Sequence, residues 1–231
     1  MIHDVKVDLR GVDVRVKVRI NPRARRLQLR LDARTGHICL TLPPHVSQDQ
    51  GLAFVRSKAA WIIPRRARIL ADQVALTHGA EIPIDGRLTP LQFGPNPQIS
   101  DNRLIVREDQ AARDLSALLK TRAKANLTPL AHEKAAILGL PITRLSFRDT
   151  KSRWGSCSST GAISLNWRLI CAEPLIQDYI VAHEVAHLKE PHHQPAFWAQ
   201  CARLMAQPQA LNDARAKLRV IGPRLIALPL A

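Results

Sequence analysis

The sequence predicts an α+β fold, and three observations carry that expectation. Residues 12–42 alternate apolar and polar side chains with the period of two of half-buried strands. A long helical pattern covers about residues 109–138. A second helix, near residues 174–190, is apolar nearly all round, the pattern of a helix buried in a core. The expected organisation is a small, basic, antiparallel β-rich region with one helix over residues 1–107, followed by a larger α+β domain over residues 108–231.

The first strand signal is "VDVRVKVRI". Val12, Val14, Val16, Val18 and Ile20 alternate with Asp13, Arg15, Lys17 and Arg19, giving one apolar and one mostly basic face. "RLQLRLD" repeats the pattern with Leu27, Leu29 and Leu31, and "HICLTLP" with Ile38, Leu40 and Leu42. Asn21-Pro22 and Thr35-Gly36 separate them as turns, so an antiparallel meander is expected. Ser47 is placed to N-cap a helix carrying Leu52, Phe54, Val55, Trp61 and Ile62.

Residues 77–107 are rich in Pro and Gly with short strand-like pieces, and are expected to complete the first sheet. The following helix should break near Thr128-Pro129 and stop at Gly139-Leu140-Pro141, a glycine C-cap with a proline behind it. Strand alternation returns at Leu145 and Phe147, and again at Ile163, Leu165, Trp167 and Leu169, after the turn Ser158–Gly161. Pro174 suits the first turn of the next helix, where its missing N–H costs nothing. Another helix opens at Gln194-Pro195, with Phe197, Trp198, Cys201, Leu204 and Met205 on one face.

Composition narrows the function classes. Of 231 residues, 46% are apolar, which argues against wholesale disorder. No apolar run approaches the ~18 residues that span a bilayer. The start, "MIHDVKVDLR", has acidic residues and no apolar signal-peptide core, so the expected compartment is the cytoplasm. Cys39, Cys157, Cys171 and Cys201 lie far apart without a C-x-x-C pair, which argues against a cysteine zinc site and for reduced thiols. The net charge is +15, and residues 1–70 hold 15 basic against 5 acidic residues. Such a surface either attracts polyanions such as nucleic acid or only keeps the protein soluble.

The chemistry concentrates in "YIVAHEVAHLKEPHHQPAFW", residues 179–198, which holds four of the nine histidines. Residues four apart on a helix share a face, so His183 and His187 can point two imidazole nitrogens at one ion. Glu184 is rotated by about 100° from His183 and flanks that ion without ligating it. This is the H-E-x-x-H arrangement of two zinc ligands and a general base. The plain alternative, a satisfied polar network, requires two imidazoles and a carboxylate to be buried among Val, Ala and Leu without a metal, which is costly. A catalytic zinc needs a third protein ligand. Residues 191–212 contain no Asp or Glu, so an acidic ligand from a following helix is excluded. His192 and His193 remain, just after the helix-breaking Pro191. His193 lies ten positions after His183, the spacing that metzincins use, but Glu190 stands where they have Gly, which argues against a metzincin proper.

"TKSRWGSCSSTGAISLNWRLI" followed by "DYIVAHEVAHLKEPHHQPAFW" resembles the YgjP-like zinc metallopeptidases, relatives of the SprT proteins. RWGSC, LNWRLI, HExxH and a later H-x-x-x-F-W occur in order and spacing. The basic strands and "AAWI" at 59–62 extend the likeness to most of the chain. The resemblance implies a zincin-like metallopeptidase domain with one Zn2+ per chain on His183, His187 and His193. It implies Glu184 as the catalytic base, and a protein or peptide as substrate. The one departure is the second histidine, His192, before the third ligand. Arg153, His192 and Tyr179 are candidates to steady the oxyanion. The rival reading is a nucleic-acid-binding module with a structural zinc, which a fourth protein ligand would favour. A third joins the two: a peptidase acting near nucleic acid through the basic N-terminal region.

Overall fold

The computed structural model describes residues 2–32, 34–71, 75–100 and 103–230. The chain divides into two compact units, Met1–Gln73 and Val74–Ala231, each with its own core.

The first unit has four strands, β1 (Ile2–Leu9), β2 (Val12–Ile20), β3 (Gln28–Leu31) and β4 (Ile38–Leu42), and two helices, α1 (Gln48–Ser57) and α2 (Ala59–Ala71). Val14, Val16, Val18, Ile38, Leu40 and Leu42 are buried, and Leu52, Val55, Ala59 and Ile62 of the helices join the same cluster. Burying each such Val or Leu contributes roughly 1.5–3 kcal/mol, enough to set which face turns inward. Asp13, Arg15, Lys17 and Arg19 are exposed, as the alternation predicts. Val12 and Ile20, at the strand ends, are exposed as well. Ser47 caps α1 in a full capping box with Gln50.

The strand order corrects the expected meander. It is β1-β2-β4-β3, and β2 pairs with β4 in parallel, while β3 pairs antiparallel on the far side of β4. The seven residues between β2 and β3 are too long for a tight hairpin, so β3 is not held against β2. The single helix expected after Ser47 is two, divided at Lys58.

In the second unit, β5 (Glu81–Ile84), β6 (Arg87–Phe93), β7 (Gln98–Ile99) and β8 (Leu104–Val106) form a separate sheet. They therefore do not complete the first one. Their inward residues Ile82, Leu91, Leu104 and Val106 belong to the core that also holds α3 (Ala111–Leu138). Helix α3 runs unbroken through Pro129, against expectation. An interior proline costs about 3 kcal/mol. Continuing the helix keeps the stripe Leu119, Ala123, Leu127, Ala131 and Ala135 in phase. It also keeps buried Lys134 on Asp178 at 2.5 Å and on the Leu204 carbonyl at 2.6 Å. Separating a buried ion pair costs roughly 3–5 kcal/mol, which outweighs the proline. Gly139 ends the helix at φ 66°, a left-handed cap, as the sequence predicts.

The strands β9 (Arg144–Arg148), β10 (Gly155–Cys157) and β11 (Ala162–Asn166) form a third sheet in the order β10-β11-β9, so β10 is an edge. A 3₁₀ segment, Trp167–Cys171, leads into α4 (Pro174–Ala186), α5 (Pro195–Leu204) and α6 (Leu211–Ala227). Trp167 is buried core, as expected. Among the described residues no helix is long and apolar enough to cross a membrane.

Candidate metal centre

Helix α4 begins at Pro174 and is buried on almost every side, through Ile176, Tyr179, Ile180, Val181, Val185 and Ala186. His183 and Glu184 lie in its last turn. His187 is the C-cap residue but retains helical dihedrals, φ −65° and ψ −16°, so the four-residue spacing still sets it beside His183. The rings of these two are 5.0 Å apart. The chain then turns through Leu188–Glu190, and Pro191 directs it back toward the helix end.

That return brings His193 to the pair and leaves His192 outside the group. One nitrogen from each of His183, His187 and His193 lies within 4.8 Å of the others, so the three can hold a metal ion. Nε2 of His193 stands 3.1 Å from Nε2 of His183. Two imidazoles bound to one tetrahedral zinc at ~2.0–2.1 Å would bring their nitrogens to about 3.3 Å, so the donor set and spacing suit the ion. His187 Nδ1 lies 3.1 Å from the Glu190 carbonyl, the hydrogen bond that leaves Nε2 free to ligate. His183 Nδ1 is buried and has no hydrogen-bond partner.

Phe197 of α5 forms the apolar backing, with its ring 4.9, 4.5 and 4.6 Å from those of His183, His187 and His193. Trp198 stands 5.6 Å from His193, and the Arg215 guanidinium of α6 lies over the indole at 4.1 Å from its centroid. Burial, with the neighbouring His187, His193 and Arg215, pushes the His183 imidazole down to about 4. Burial also lowers His187. Both are thus held neutral near pH 7, the protonation state that ligates a metal.

Glu184 is 5% exposed, and burial pushes its carboxyl up to about 8, against an opposing pull from Arg153. Gly155 of β10 lies directly against it. A cleft of about 430 Å³ between β10 and α4 is lined by Gly155, Ser156, Cys157, His183, Glu184 and His193, among others. Cys157 faces this cleft, but its thiol is pushed up to about 11 by burial and by the Glu184 charge, so it stays protonated. Of the oxyanion candidates, Tyr179 is buried with its hydroxyl beside Arg215 and pushed up to about 12. His192 is exposed, and Arg153 is exposed within electrostatic reach of Glu184.

Sequence reasoning misses four supporting residues. Gly155 provides the close approach to Glu184. Asn166 donates through Nδ2 to the Thr150 carbonyl at 2.8 Å, and its backbone N–H donates to the Trp154 carbonyl at 2.7 Å, fixing the loop before β10. Arg168, wholly buried, pairs with Asp149 at 2.8 Å and donates to the carbonyls of Leu225, Leu228 and Leu230, tying that loop to the end of α6. Arg215 backs Trp198 and Tyr179. A charged residue inside the apolar run "NWRLI" was the available signal for Arg168; Arg215 leaves none.

Residues 25–219 match the family described as YgjP-like, metallopeptidase domain. No curated protein and no solved structure matches the chain. The match begins after β2 and takes in β3 onward, the HEVAH helix and the return to His193, and on it the chain belongs to the YgjP-like metallopeptidase family.

Proposed function

We propose that the protein is a zinc-dependent peptidase in which His183, His187 and His193 hold one ion and Glu184 is the general base. The observation that carries this reading is the convergence of three imidazoles beside a buried carboxylate at an open cleft. A zinc ion there supplies Lewis-acid polarisation of the scissile carbonyl and acidifies water. Glu184 takes a proton from the attacking water and delivers it to the leaving amine. Arg153 lies within electrostatic reach of Glu184 and is the candidate to steady the oxyanion. In this reading the residues from about 108 onward carry the chemistry, and the basic region before them is accessory.

A structural zinc is normally closed by four protein ligands. The group among the described residues offers three, which favours the enzyme over a binding module with a structural ion. The test is hydrolysis of unfolded proteins and peptides by the zinc-loaded chain, abolished by chelation and restored by zinc. Absence of cleavage across a broad panel, with zinc content verified, would overturn the reading.

The exposed row Arg15, Lys17 and Arg19 supports a second element of the proposal, contact with nucleic acid through the first unit.

A further inference from the structure

The sheet β10-β11-β9 has two unlike faces. Leu145, Ile163 and Leu165 pack into the core. The opposite face pairs Arg144 with Ala162, Ser146 with Ser164 and Arg148 with Asn166, and Ser156 with Ser164 across β10. On that face lies a pocket of about 220 Å³, lined by Arg144, Arg148 and Arg153 with Ser146, Ser156 and Ser164. Among the described residues no carboxylate lines it. Arg144, Arg148 and Arg153 are exposed, and among the described residues none of their guanidinium groups is in an ion pair.

Three guanidinium groups, with serine hydroxyls beside them, form a donor-rich, positively charged environment for a carboxylate. The pocket is held in shape, because Asn166 fixes the 150–153 loop that carries Arg153. It is also continuous with the catalytic cleft, since Gly155 and Ser156 line both. β10 is an edge strand, and an extended peptide added to such an edge sends alternate side chains to opposite faces of the sheet. One set then lies on the side of α4 and its histidines, and the other on the sheet face that carries the pocket and its arginines.

We propose that this pocket is a specificity subsite that receives an acidic side chain of the substrate, close in sequence to the scissile bond. The proposal rests on the peptidase reading above for its substrate class. The size of the pocket, about 220 Å³, favours a side chain over a nucleic-acid backbone: it is an open concavity with room for one anionic group, not a track for a row of phosphates.

The test uses the zinc-loaded full-length Glu184→Gln chain, so that binding is read without turnover. The probes are labelled decapeptides of one neutral sequence, with a single Glu, Gln or Lys walked through each position, in ~0.15 M salt. At one position Glu should bind at least about tenfold more tightly than Gln, the size of a charge-assisted contact. In the Arg144→Gln/Arg148→Gln double variant that ratio should fall to near one. Arg148→Glu should turn the preference at the same position toward Lys, a gain that misfolding cannot produce. Glu, Gln and Lys peptides binding alike at every position would overturn the subsite, as would a Glu preference that survives the double substitution. Arginine-dependent binding of a single-stranded oligonucleotide in place of acidic peptides would overturn it in favour of nucleic acid. Cleavage by the wild-type chain is measured in parallel. Arginine-dependent acidic binding without cleavage sustains the subsite and removes the peptidase reading. Cleavage without that preference sustains the peptidase reading and removes the subsite.

Discussion

Gly155 of β10 lies so close to Glu184 of α4 that a Cβ built on the glycine would stand 2.5 Å from the carboxylate Oε1. Real Cβ atoms do not approach that closely, so any side chain at 155 must displace the carboxylate. The glycine of "RWGSC" therefore belongs to the site through sterics, although it offers no functional group.

Gly155→Ala should accordingly move Glu184 rather than only strain the fold. Overpacking of a filled site typically costs about 1–3 kcal/mol. On the proposed role of Glu184 as base, peptide hydrolysis should fall further, by about 10² or more, because proton transfer requires its carboxylate in place. Melting temperature, zinc content and hydrolysis rate measured together check this. An alanine variant with an unaltered rate would show that Glu184 has room that the structure denies it.

The adjacent histidines should separate cleanly. His193→Ala removes one of three converging nitrogens, whereas His192 lies outside the group. Losing even a partner of a ligand typically costs ~10–100-fold in metal affinity, so losing His193 should cost at least that. His192→Ala should change affinity little. Zinc retention in competition with a chelator reads both. Loss of metal in the His192 variant and retention in the His193 variant would reverse the assignment.

Glu184 also predicts a pH dependence in the metal-free protein. Its folded carboxyl is pushed up to about 8 from an ordinary value of 4.5. Between those values the unfolded chain releases this proton while the folded chain keeps it, so stability declines as pH rises through the window. His183 acts in the other direction: its contribution is present above its ordinary 6.5 and is lost as pH falls toward about 4. Both wild type and Glu184→Gln retain His183, so their difference isolates the carboxylate. The glutamine variant should gain unfolding free energy over wild type progressively from pH 5 to pH 8, by an amount on the order of a few kcal/mol, read as a rising difference in melting temperature. A difference that stays constant with pH would contradict the burial argument.

Much of this was legible because the signals are local. Ser47, Gly139 and Pro174 mark helix ends through their own backbone chemistry, and the apolar surround of "HEVAH" announces a buried helix with charged groups inside it. Pairing is not local. A period of two tells which face of β2 turns inward, but not that its partner is β4, nor that β5–β8 stand apart as a second sheet. Pro129 misleads for the same reason, since what holds α3 straight is Lys134 meeting Asp178, 44 residues later in the chain. At the site, the spacing of His183, Glu184 and His187 is readable, and the return of His193 follows from Pro191. Gly155, Asn166, Arg168 and Arg215 act across long separations and leave almost no trace in the sequence.

The basic row on β2 should bind nucleic acid in a salt-sensitive manner. Each phosphate neutralised releases counterions, so the logarithm of affinity falls with that of salt by about 0.7–0.9 per contact. Replacing Arg15, Lys17 and Arg19 with Gln should reduce the slope by roughly 2 to 3 on that scale. Fluorescence anisotropy with labelled DNA and RNA across a salt series measures it. No binding at low salt would confine the charge to keeping the protein in solution.

The most direct test of the account is the peptidase rate of zinc-loaded Glu184→Gln. The amide is nearly isosteric, so it should leave the fold and the zinc in place, yet it cannot accept a proton from water. General-base assistance is typically worth ~10²–10⁴ in rate, and hydrolysis should fall by at least that much at unchanged zinc content. With a structural zinc there would be no zinc-dependent hydrolysis for the substitution to remove. Wild-type-like proteolysis by a zinc-loaded Glu184→Gln preparation would contradict the account.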